Sequence, residues 1–157
     1  MFRSFKRVAI LVGILLGAAL ALAQSTPVTN SYDLVVTNQT TVNSCSVGEP
    51  VALNGTVHVS YSVSADNSGV NHFAITAANN LTGAGQKTGT PYLASDSDDY
   101  SSNNNDSSAD LTVELKSDLK SQGATPGLTL VQSLHIVVDT TGNISAQVVS
   151  NTTGCGS

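Results

Sequence analysis

Arginine is absent from this chain after residue 7, and tryptophan is absent altogether. Beyond residue 23 the only basic side chains are Lys87, Lys116 and Lys120, set against 11 acids, so the balance there is 3 − 11 = −8. Nucleic-acid binding needs phosphate-neutralising Lys and Arg, and docking to anionic lipid needs a basic cluster. Both are excluded as primary roles. Aromatic residues are scarce too. Tyr32, Tyr61, Phe73, Tyr92 and Tyr100 are the only ones after residue 5, which leaves little for stacking sugars or bases and few Tyr, Trp and Arg anchors for a protein interface. No apolar run after residue 23 is long enough to span a bilayer, which takes about 20 residues. No cofactor motif is present, and none is expected to bind.

The start of the chain has the character that the rest lacks. Arg3, Lys6 and Arg7 precede an uncharged stretch from Val8 to Ala23, and Ala21-Leu22-Ala23 reads as a small-x-small cleavage site before Gln24. That is the layout of a secretory signal peptide. A retained anchor is the rival, but the run is short for one. Gln24 stands where a lipoprotein would carry Cys. Residues 1–23 are therefore expected to be removed, and the remainder to work outside the cytoplasm, in periplasm, envelope or medium. What remains suits one domain.

Ser, Thr, Asn, Val and Gly dominate that remainder, a composition for strands joined by polar turns. Residues 24–44 are expected to form a flexible leader and a first edge strand, with a β domain over 45–157. Val51, Leu53, Val57, Val59, Tyr61 and Val63 alternate with polar residues, and only Gly55 interrupts the apolar set. A period of two with one apolar face marks a half-buried strand. Asp66-Asn67-Ser68-Gly69 supplies a turn, and Val70–Ala77 returns. Leu111, Val113 and Leu115 alternate with Thr112, Glu114 and Lys116, although Leu111, Leu115 and Leu119 also fit a helix. Leu128, Leu130, Leu134, Ile136 and Val138 form one face of a long strand, and Ile144–Val149 returns after a turn at 139–143. The expected fold is all-β, an antiparallel β-sandwich or small β-barrel of about six to eight strands. Ser95–Ala109 is Ser, Asn and Asp with one Tyr. With no apolar area to bury, it is expected to be a long, mobile surface loop.

The two cysteines, Cys45 and Cys155, flank the strand-rich region. In an exported chain an even count favours pairing. Such a bond is worth about 4–5 kcal/mol in the chain-entropy model. Free thiols or a soft-metal pair are the alternatives, the latter needing His partners as well.

Several stretches together resemble a family of uncharacterised secreted bacterial β-rich proteins with a terminal disulfide. They are Cys45, Gly48-Glu49-Pro50-Val51-Ala52-Leu53-Asn54-Gly55-Thr56-Val57-His58-Val59, Asp66 to His72, Gly83-Ala84-Gly85 with Thr88-Gly89-Thr90-Pro91-Tyr92, Leu134 to Asn143, and Cys155. The resemblance implies a β domain closed by its terminal disulfide, and carries no activity.

Candidate chemistry is sparse. His58, His72 and His135 fall on polar strand faces, and imidazoles so placed can bind Zn or Cu. If Ser64 pairs with Val70, His72 faces Ser62 and His58 faces Thr76, too far apart for one metal. His135 could still join either. Asp96, Asp98, Asp99 and Asp106 are candidates for calcium, although the stretch lacks the EF-hand Gly and Glu. Gly83-Ala84-Gly85-Gln86-Lys87-Thr88 has the flavour of a phosphate loop, but Gln86 intervenes where the Walker pattern needs Gly before Lys. A turn or bulge is its plain reading. No serine sits in a Gly-x-Ser-x-Gly elbow, so no catalytic residue is nominated. Asn38, Asn54, Asn80, Asn105, Asn143 and Asn151 start sequons, a frequent accident in such a composition. The expectation is a secreted or envelope-associated β domain with a non-catalytic structural or binding role, its partner an envelope or extracellular protein. The alternative is an extracellular metal-binding protein using His135 with His58 or His72.

Overall fold

The computed structural model describes residues 26–46 and 48–155. The signal-peptide expectation falls on residues 1–23, outside the described part. The described residues form eight strands and no helix: β1 Val28–Asn43, β2 Glu49–Ala65, β3 Asn71–Gly85, β4 Pro91–Ala94, β5 Ser97–Asn104, β6 Ala109–Ser121, β7 Leu128–Val138 and β8 Ile144–Cys155. All ladders are antiparallel, and the sheet order is β1-β2-β3-β4-β6-β7-β8, with β5 also on β3. The all-β expectation stands, as a nearly closed barrel. The leucines of β6 follow period two, not a helix, because Leu115 and Leu119 are buried while Glu114, Lys116 and Lys120 are exposed.

β4 and β5 are two halves of one stave. Leu81–Ala84 of β3 pairs with β4, and Asn71–Ala78 pairs with β5. The break between them falls at Asn79, whose amide donates to Asp96 O (2.9 Å) and whose Oδ1 accepts from the Asp96 amide (3.1 Å). The barrel therefore has seven staves. With antiparallel neighbours throughout, an odd number leaves the first and last strands running the same way. β1 and β8 thus meet in parallel, and no backbone ladder joins them among the described residues. Side chains pin this seam at both ends. Asn30 Nδ2 donates to Gly142 O (2.9 Å), and Thr153 Oγ1 donates to Val42 O (2.7 Å).

Alternation fills the interior. Val51, Leu53, Val57 and Val59 of β2, Phe73 and Ile75 of β3, and Leu130, Leu134 and Ile136 of β7 are all buried. Gly55 breaks the apolar face of β2 because a Cβ there would meet Asn80 O at 2.1 Å. Close approach of two strands is a glycine role.

Two sequence expectations are corrected. The stretch Ser95–Ala109 is not a mobile loop: its centre is β5, and only the turn between β5 and β6 remains. Apolar burial does not hold β5. On one side it has a full ladder to β3. On the other, its side chains and that of Asp96 just before it reach the free edge of β6: Tyr100 OH donates to Glu114 O (2.7 Å), Asp98 Oδ2 accepts from the Lys116 amide (3.0 Å), and Asp96 Oδ2 accepts from the Asp118 amide (3.1 Å). The leader expectation is also narrowed. Residues 28–43 are one long strand paired with β2 along its length, with a bulge between Val36 and Gln39.

Candidate functional site

The chemistry-bearing side chains divide between the two ends of the barrel and its outer wall. The end that carries the β1–β2 connection, the turn at 86–90, the turn at 122–127 and Cys155 is the disulfide end. Cys45 and Cys155 are bonded there, their Cα atoms 5.3 Å apart. Beneath the bond lies a buried polar set. Asn43 Oδ1 accepts from the Cys45 amide (3.0 Å), while its Nδ2 donates to Tyr92 OH (3.0 Å) and Pro126 O (2.9 Å). One side chain on β1 thus ties the cysteine turn to β4 and to the β6–β7 turn.

Glu49, at the start of β2, is 3% exposed. Its Oε1 accepts from the amide (2.8 Å) and hydroxyl (2.7 Å) of Thr88, and Tyr92 OH approaches Oε2 at 3.5 Å. The Thr88 bonds hold its carboxyl below the usual carboxylate range, against the opposing effect of burial. The glycine-rich stretch 83–88 does bind an anion, but the anion is the chain's own. Gly85 is required because a Cβ there would lie 2.4 Å from Glu49 Oε1. The phosphate-loop reading is replaced by an internal carboxylate seat. Sequence reasoning named the loop and missed Glu49. The available signal was an acid placed just before Pro50 in an apolar strand start.

The opposite end is held by two turns of one design. Asp66 Oδ1 accepts from the Ser68 amide (2.8 Å), the Ser68 hydroxyl (2.6 Å) and the Val70 amide (3.0 Å). Asp139 Oδ1 does the same for Thr141 (amide 2.8 Å, hydroxyl 2.7 Å) and Asn143 (amide 2.9 Å). These donors push both carboxyls well below the usual range. Anchoring at Asp66 also sets the hairpin register: Ala65 pairs with Asn71, so His72 faces Ser64 and His58 faces Ala78. The sequence-based register slips by two residues on this ladder.

The three histidines are not brought together. Each pairs with its own aspartate: His58 Nδ1 with Asp33 (2.6 Å), His72 Nε2 with Asp66 (2.9 Å) and His135 Nε2 with Asp110 (2.7 Å). His58 and His72 are six residues apart along the ladder, about 20 Å at roughly 3.4 Å per residue. Asp66, with Asn103 at 2.8 Å, raises the His72 pKa. The calcium candidates are equally dispersed in role. Asp96 and Asp98 cap β6 amides, Asp99 accepts from Thr76 Oγ1 (2.7 Å), and Asp106 lies in the exposed β5–β6 turn. Among the described residues no group of three or more His, Cys, Asp or Glu is placed to hold a metal ion. Compared with known proteins, the chain matches no family model, no curated protein and no solved structure. A disulfide fits an oxidising, extracytoplasmic compartment.

Proposed function

We propose that this protein is a secreted or envelope-associated β-barrel domain with a non-catalytic structural or binding role. The observation that carries the proposal is the employment of its polar side chains. Glu49 seats the 86–90 turn, Asp96 and Asp98 cap a strand edge, Asp66 and Asp139 build turns, and Cys45–Cys155 locks one end. Groups spent on holding the fold are poor candidates for reacting with a substrate. A disulfide-locked barrel suits an oxidising compartment outside the cytoplasm.

The test is recovery of the protein from its native source. Fractionation should place it outside the cytoplasm. Its N-terminus should lie within about two residues of Gln24, in keeping with the signal layout, and its intact mass should be short by the two hydrogens of one disulfide. Full-length, reduced protein in the cytoplasmic or inner-membrane fraction would contradict the proposal. Stoichiometric Zn or Cu after purification without an affinity tag would transfer it to the metal-binding class.

A further inference from the structure

Three amide side chains on the strands at and beside the seam, Gln39 on β1, Asn151 on β8 and Gln132 on β7, each have a buried polar atom without a partner. Gln132, on the inner face of β7, is 0% exposed. Its Oε1 accepts from Asn79 Nδ2 at 3.5 Å, while its Nε2 has no hydrogen-bond partner among the described residues. Exchanging the two ends of this amide would aim an N–H at the Asn79 N–H, so the orphan is a donor. Asn151 is the register partner of Gln132 on β8. A bulge opposite Ser133 and Leu134 resets the alternation of β8 and turns Asn151 inward, where its Oδ1 is buried and unpartnered. Gln39 follows the bulge of β1, and its Oε1 is likewise buried and unpartnered. Asn30 to Gly142 and Val42 to Thr153 fix the alignment of the two parallel strands. Counted along the strands from those two bonds, Gln39 comes level with Ser150 and Asn151.

Both bulges therefore lie at one level of the seam, and a cleft of about 400 Å³ opens there, lined by Val36, Gln39, Gln147 and Val148 among others. No charged side chain lines it. A buried donor or acceptor left unmade is costly, and these three are complementary in kind: one donor and two acceptors.

We infer that the seam of the barrel is a binding site for a hydroxyl-bearing neutral guest, held by Gln39 Oε1, Asn151 Oδ1 and Gln132 Nε2. Water matches the set in full, donating twice and accepting once, the three bonds typical of a buried water. A hydroxyl of a small neutral solute, entering through the cleft, donates to one acceptor and accepts from Gln132. The uncharged lining disfavours ionic guests.

Two measurements test this. A high-resolution crystal structure of the exported protein should show an oxygen within hydrogen-bond distance of at least two of the three amide atoms. Gln39→Met and Asn151→Leu each remove one acceptor at similar volume. With a bound hydroxyl, each variant should melt a few degrees lower. Bare orphan acceptors would give the opposite sign, because deleting an unsatisfied buried group stabilises. An empty seam in the crystal, or variants that melt higher, would overturn the inference. Melts in glucose and in glycerol separate the two sources. A saturable gain in the wild type that N151L loses marks a solute hydroxyl, and parallel shifts in both mark water.

Discussion

The two ends of the barrel solve the same problem in different ways. At the disulfide end, strands are joined by contacts that are long in sequence. Asn43 reaches Tyr92 and Pro126, Glu49 reaches Thr88, and Cys45 reaches Cys155. At the other end the two Asp-centred turns are each built within five residues, around Asp66 or Asp139, and the long-range bonds there converge on one backbone atom, Gly142 O, from Asn30 and Tyr61. A local turn stabilises one hairpin, whereas a shared buried side chain such as Asn43, together with a covalent bond, makes three elements lose their order together. The disulfide end is therefore the more cooperative one.

The largest effect should come from breaking the covalent tie. Cys45→Ser with Cys155→Ser should cost about 2–5 kcal/mol, read from urea unfolding of the double variant against wild type. Asn43→Ala should come next, at about 1–3 kcal/mol, because it takes the donor from Pro126 O and the acceptor from the Cys45 amide, and leaves the Tyr92 hydroxyl only its long contact with Glu49. Gly85→Ala should cost a comparable ~1–3 kcal/mol, by driving a methyl into the Glu49 carboxylate; it should shift the Thr88 amide resonance as well.

Changes at the opposite end should be smaller. Asp139→Ala should lower the melting temperature by less than either Asn43→Ala or Gly85→Ala. It should also blunt the acid response. Asp66 and Asp139 have folded pKa values depressed below the ordinary carboxylate value of about 3.9. Their stabilisation is complete above that value and is lost as pH falls towards the folded pKa. Wild type should therefore weaken progressively below about pH 4, and a protein with both aspartates replaced should weaken less. The smallest effect belongs to His72, whose pKa is raised. Its contribution is complete below about pH 6.5 and is lost as pH rises through the folded value. His72→Gln should remove that mild alkaline decline while leaving the acid limb in place.

The same division governs what could be read without a structure. The hairpin turns were legible because Asp-x-x-Gly chemistry is local, and the apolar faces of β2, β6 and β7 were legible because alternation is local too. The disulfide was legible from compartment and count. β5 was not. Its residues bury almost nothing apolar, and its order comes from the β3 ladder and from Asp96, Asp98 and Tyr100 reaching β6. Yet the alternation Asp96, Asp98, Tyr100 was a period-two signal, hidden because its members are polar. Glu49 was missed for a related reason: a buried carboxylate is recognisable only once its donors, almost 40 residues away, are folded around it. The odd stave count, and with it the parallel seam, follows from β4 and β5 being one interrupted strand.

Residue-resolved amide hydrogen exchange on the folded Cys45→Ser, Cys155→Ser protein separates the two ends of the barrel. Protection should fall first at the disulfide end, at the amides of residue 45, Thr88 and Gln122, while those of Ser68, Val70, Thr141 and Asn143 keep their wild-type rates. Equal loss at both ends, or loss beginning at the Asp66 and Asp139 turns, would contradict it.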